Sequence, residues 1–189
     1  MKVKAAPSSS KVVIEMSPGD SSMPSAALPE VRLKKILVPV DFSEPSRKAL
    51  VYATSFAKQF NAELLLFHAV PFITTPAPMY SIPLETDARL REESAKQLAQ
   101  WRGALPPELS SKAIVGDGAS AYDQIVKTAT ENNVDLIILG THGRTGAARW
   151  LIGSTAERVV RHAACPVLVV REKEHDFVGG EQNSSTLAE

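Results

Sequence analysis

Residues 137–146 read Ile-Ile-Leu-Gly-Thr-His-Gly-Arg-Thr-Gly, with three glycines at steps of three behind an aliphatic run. Seven residues later Gly153-Ser154-Thr155 opens an amphipathic stretch. Gly140 and Gly143 permit positive φ and close backbone approach to a ligand. A helix that begins at Gly153 offers free N–H groups and the positive end of its dipole to an anion. Ser154 and Thr155 hydroxyls can add hydrogen bonds to a phosphate. Thr141 sits between the two glycines, His142 could donate to a phosphate, and Arg144 and Arg149 could neutralise one. Two readings stay open on these residues alone: a two-part phosphate cradle, or a turn between a strand and a helix.

The elements that flank the loop bear on this choice. Apolar runs alternate with helical periodicity from residue 33 to residue 172. Strands are expected at 34–40, 62–70, about 111–115, 135–140 and 166–170. Helices are expected after Ser43, placed as an N-cap with Glu44 and Pro45 in the first turn, and over 84–105, 119–132 and 153–163. The strands are mostly continuous Val, Ile and Leu, the pattern of a parallel sheet buried on both faces. Right-handed crossovers then give an open, doubly wound, flavodoxin-like α/β fold, with five parallel strands in the order 3-2-1-4-5 and helices on both faces. Ligands bind such sheets beyond the carboxyl ends of the strands, where the winding reverses. Here that point lies between the first and fourth strands. It brings Asp41-Phe42-Ser43 opposite Gly140-Thr141-His142-Gly143, and a carboxylate meets the glycine loop.

Residues 1–32 are rich in Ser, Pro and Ala without sustained periodicity, and they read as a disordered or loosely attached arm. Val12-Val13-Ile14 could add a strand within it. Residues 173–189 read as a disordered tail. The chain is 189 residues long, so residues 33–172 make one domain of ordinary size.

Composition excludes several classes. Lys and Arg number 21, Asp and Glu number 21, and the formal net charge is zero. That argues against nucleic acid or an anionic membrane as partner. Aromatic residues are 6%, too few for base-stacking platforms. No apolar run reaches the length of a membrane span, and the N-terminus lacks the apolar core of a signal peptide, so a cytoplasmic protein is expected. Cys165 is the one cysteine and reads as a small buried hydrophobe. No Gly-Lys pair occurs, which excludes a P-loop of the Walker type. Gly116-Asp117-Gly118-Ala119-Ser120-Ala121 matches a dinucleotide fingerprint but follows the third strand, and it reads as a βα turn. His142 needs an orienting partner to act as a base, and the sequence shows none. His68 lies in an apolar strand and reads as a satisfied core histidine. Trp150 and Leu151 read as anchors of the loop.

At this point the chain resembles the ATP-binding branch of the universal stress protein family. Gly140-x-x-Gly143, nine residues, then Gly153-Ser154 is similar to its G-2x-G-9x-G-[S/T] signature. Ile36-Leu37-Val38-Pro39-Val40-Asp41 resembles its first strand, and Cys165-Pro166-Val167-Leu168-Val169-Val170 its last. The resemblance implies ATP as ligand, with Mg²⁺. Asp41 would contact the ribose or a nucleotide-bound cation. Main chain at Pro39, Val40, Ala69 and Val70 would face adenine. Gly140, Thr141, His142, Gly143, Arg144, Gly153, Ser154 and Thr155 would surround the phosphates. It also implies a homodimer through Val167, Leu168, Val169 and Val170, which would cover an apolar sheet edge. Slow ATP hydrolysis and a nucleotide-free interaction module remain as alternatives. No arginine finger, lysine or assigned base is in place to make turnover fast.

Overall fold

A computed structural model describes residues 2–5, 12–15, 30–71, 84–118, 120–141, 152–173 and 177–178. The chain separates into two units, residues 1–31 and residues 32–189. In the first, strand β1 (Lys2–Ala5) pairs antiparallel with β2 (Val12–Glu15), Lys2 opposite Glu15 and Ala5 opposite Val12.

The second unit runs β3 (Lys35–Pro39), α1 (Glu44–Phe60), β4 (Glu63–Pro71), α2 (Leu84–Gly103), β5 (Ser111–Gly118), α3 (Ala121–Glu131), β6 (Leu136–Gly140), α4 (Ser154–His162) and β7 (Val167–Val170). The sheet order is β5-β4-β3-β6-β7, with every pair parallel. Counted from the first strand of this unit, that is the expected 3-2-1-4-5, and the fold is the flavodoxin-like α/β sheet.

Alternation along the strands sorts side chains into two cores. On one face Ile36, Val38, Leu64 and Leu66 pack with Ala49, Tyr52, Ala53 and Ala57 of α1 and Leu98 of α2. On the other, Leu37, Leu65, Phe67, Ile137 and Leu139 pack with Ile125 and Ala129 of α3 and Ala156 and Val159 of α4. Ile36, Leu37, Leu64, Leu66, Ile137 and Ile138 are fully excluded from solvent. Burying a side chain of this size stabilises by roughly 1.5–3 kcal/mol, which makes the three central strands the main apolar contribution.

Two local features differ from the sequence expectation. Ser43 is the N-cap of α1, and Pro45 lies in its first turn. Its hydroxyl does not cap the helix, however; it donates to Asp41 Oδ1. Strand β5 is longer than the expected 111–115. Gly116 and Gly118 continue it opposite Ala69 and Pro71 instead of turning. The reason is crowding: a Cβ at Gly116 would lie 2.7 Å from both Gln124 Oε1 and the Phe67 ring. Near the C-terminus, the Phe177 ring meets Tyr52 edge-on at 5.1 Å, and Lys48 Nζ donates to the Glu172 carbonyl at 3.1 Å.

Candidate functional site

The carboxyl ends of β3, β4 and β6 open into a cleft of about 200 Å³. Its walls come from three directions. Strand β3 and the turn after it supply Pro39, Val40 and Asp41; β4 supplies Phe67, His68 and Ala69; β6 supplies Leu139, Gly140 and Thr141. The helices close it with Ser46 of α1, Ala121 and Ile125 of α3, and Gly153, Ser154, Thr155 and Ala156 at the start of α4. The winding reverses between β3 and β6, so the cleft sits at the switch point.

Asp41 forms one rim. Its Oδ1 accepts from Ser43 N–H at 3.1 Å and from the Ser43 hydroxyl. This local loop fixes the carboxylate at the start of α1. Phe42, between them, takes φ 66°. The opposite rim is the N-terminus of α4. Gly153 is its N-cap, at φ −60° and ψ 149°, and no side chain caps the helix. Its own N–H is used, donating to Thr141 O at 2.8 Å. The first-turn residues Ser154, Thr155 and Ala156 all line the cleft. An uncapped first turn presents N–H donors and a partial positive charge. The Gly153 backbone lies in the extended region open to any residue.

Gly140 has a different task. A Cβ there would meet the Pro45 carbonyl carbon at 2.7 Å and its oxygen at 2.8 Å. Its bare backbone lets α1 approach the end of β6. Thr141 is buried, and its N–H donates to Val170 O at 2.9 Å.

The structure thus brings together Pro39, Val40, Asp41, Ala69, Gly140, Thr141, Gly153, Ser154 and Thr155 of the expected site. Val70 does not join them: it is 7% exposed and absent from the cleft wall. His142, Gly143 and Arg144, with Arg149, Trp150 and Leu151, lie outside the described residues. Sequence reasoning missed Ser46, Phe67, Leu139, Ala121, Ile125 and Ala156. His68 is buried and hydrogen-bonded, as a satisfied core histidine should be, with Nδ1 2.7 Å from the Val40 carbonyl, and it also lines the cleft. Among the described residues no three His, Cys, Asp or Glu side chains cluster as a metal site. No helix among the described residues is long and apolar enough to cross a membrane.

The chain is similar to known proteins. The model of the universal stress protein family matches residues 32–171. A universal stress protein of Methanocaldococcus jannaschii is 36% identical over 146 residues, covering 74% of this chain and 82% of that protein. The solved structure of a second protein of that organism superposes with a TM-score of 0.66 at 32% identity, over 77% of this chain and all of that one. A universal stress protein from Lactobacillus plantarum gives a TM-score of 0.59 at 27% identity, over 75% of this chain and all of that structure. The family match spans the whole five-stranded sheet and both rims of the cleft, and the chain belongs to the universal stress protein family.

Proposed function

We propose that the cleft binds an adenine nucleotide, ATP with Mg²⁺, and that binding makes the protein a nucleotide-dependent sensor or switch in a cytoplasmic stress response. The observation that carries this reading is the uncapped N-terminus of α4 facing Asp41 across a cleft at the switch point. Phosphates would lie at Ser154, Thr155 and the N–H groups of the first turn, where the helix dipole favours negative charge. Asp41 would hold the ribose or the Mg²⁺, with phosphate oxygens completing the cation's shell. The apolar wall of Phe67, Ala69 and Ile125 suits the purine. His142, Gly143 and Arg144 would also contact the phosphates. We also propose that the protein is a homodimer through β7, an apolar edge strand with a single neighbour in the sheet among the described residues.

Protein purified without added nucleotide, denatured and analysed for adenine nucleotides, tests the reading, with Mg-ATP calorimetry on the emptied protein. ATP or ADP near one per chain, or a clear binding heat, supports it. Neither would sink it. Gly153→Val locates the site. Valine accepts the Gly153 backbone angles, so the helix should persist while a side chain is added at a residue that lines the cleft. Affinity should fall about tenfold or more, the cost of roughly 1.4 kcal/mol. Unchanged affinity would place the phosphates elsewhere.

A further inference from the structure

We infer that His68 is a positioning residue for the Asp41 rim, acting through Val40 and Phe42. The inference rests on the nucleotide reading above and names residues that reading does not use. Strands β3 and β4 pair in register only as far as Pro39 with Phe67, and Val40 N–H then donates to Phe67 O at 2.8 Å. Here β3 ends and the chain must turn to present Asp41. The His68 imidazole meets the Val40 carbonyl at 2.7 Å, so a side chain extends the pairing past the last registered pair. A carbonyl only accepts, so Nδ1 is the donor. The bond is buried, and leaving the carbonyl without its donor there would cost more than the same loss in water.

The next residue along shows what this bond supports. Phe42 has φ 66°, an outlier for a bulky side chain and one that clusters at functional sites when the surroundings hold it. Its ring is held on two sides. The His68 ring lies 4.5 Å away, and the Trp101 ring of α2 lies 5.4 Å away edge-on. The Arg47 guanidinium covers Trp101 at 4.9 Å. One imidazole therefore fixes the residue before Asp41 by a hydrogen bond and the residue after it by ring contact. Asp41 projects into the cleft between two anchored neighbours. Such preorganisation strengthens binding by reducing the ordering cost on association.

Three variants titrated with Mg-ATP by calorimetry, beside the wild type, test the inference. His68→Leu keeps the volume apolar and removes the donor; its affinity should fall about tenfold, the upper range for one buried hydrogen bond. His68→Asn places an amide N–H where Nδ1 stood and should recover most of that loss. Phe42→Gly relieves the positive φ but removes the ring. If the ring anchors the turn, affinity falls although the backbone strain is gone. Thermal unfolding of each ligand-free variant supplies the control. Wild-type affinity in His68→Leu, with only a lowered Tm, would overturn the positioning role and leave a structural one. Equal losses in the Leu and Asn variants would overturn the assignment to the Nδ1 bond. Absence of any heat with wild-type protein would overturn the nucleotide reading itself, and the positioning role with it.

Discussion

A methyl group at position 140 would have to sit 2.7 Å from the carbonyl carbon of Pro45. The neighbour is main chain, pinned by its place in the first turn of α1, and it cannot rotate aside. Gly140→Ala should therefore destabilise by roughly 1–3 kcal/mol, the ordinary cost of overpacking. Urea unfolding measures it, and a loss within error would mean that α1 slides freely over β6. Cys165 gives a second prediction at this scale. Burial pushes its thiol above the ordinary value, and the nearby Asp135 carboxylate adds to the shift. In the unfolded chain the thiol ionises at its ordinary value, so the unfolded state loses its proton first as pH rises. The stability this group contributes is full below the ordinary thiol pKa and is lost as pH climbs toward the raised folded value. Cys165→Ala should flatten that part of the alkaline decline in an unfolding series from neutral pH upward. An identical decline in both proteins would assign it to other groups.

At the scale of elements, the weakest joint is also the one that makes the site. Strands β3 and β4 share five registered pairs, whereas β3 and β6 share two, Ile36 with Leu136 and Leu37 with Ile137. Asp135 reinforces this joint. Its Oδ2 accepts from Lys34 N–H at 2.7 Å and Lys35 N–H at 2.9 Å, while its own N–H donates to Lys35 O at 3.0 Å. Asp135→Ala leaves two strand amides without that acceptor and should cost about 1–3 kcal/mol in denaturant unfolding, with Asp135→Asn recovering part. A neutral alanine variant would show that water replaces the carboxylate without loss. None of this latch was legible beforehand, because its partners lie far apart in sequence. The strands were legible because burial on both faces makes them continuous apolar runs, as in Ile36-Leu37-Val38 and Ile137-Ile138-Leu139. Strand β5 read weakly because it is an edge, with Lys112 and Ala113 exposed. Its glycines were taken for a turn because their crowding by Gln124 and Phe67 exists only after folding. The same division holds at the cleft. The switch-point rule names strand ends, and it found Asp41 and Thr141. It names no helix face, so Ala121 and Ile125 escaped it. His68 read as buried, but its acceptor at Val40 depends on how far two strands stay paired.

For the whole molecule the question is what covers β7, whose neighbour in the sheet among the described residues is β6. Hydrogen bonds orient its backbone. Ile137 N–H donates to Pro166 O, and Thr141 N–H donates to Val170 O, so the even-numbered residues turn their polar groups toward β6. Alternation then points the N–H and C=O of Val167 and Val169 away from the sheet, available to another strand. A second copy related by a twofold axis would pair there with itself. Val169→Pro separates this pairing from the fold. Proline removes the outward N–H of an edge strand, where it is tolerated, and leaves the bonds to β6 in place. Light scattering at micromolar concentration should give a dimer for the wild type and a monomer for Val169→Pro, with the far-ultraviolet circular dichroism of the two alike. The cleft of the variant should also bind as before, since its rims at Asp41 and Ser154 lie outside β7. A wild-type monomer would mean that another part of the chain covers the edge. A dimer that survives the proline would move the interface from the backbone of β7 to a packed face, with the exposed Val160 of α4 as the next position to change.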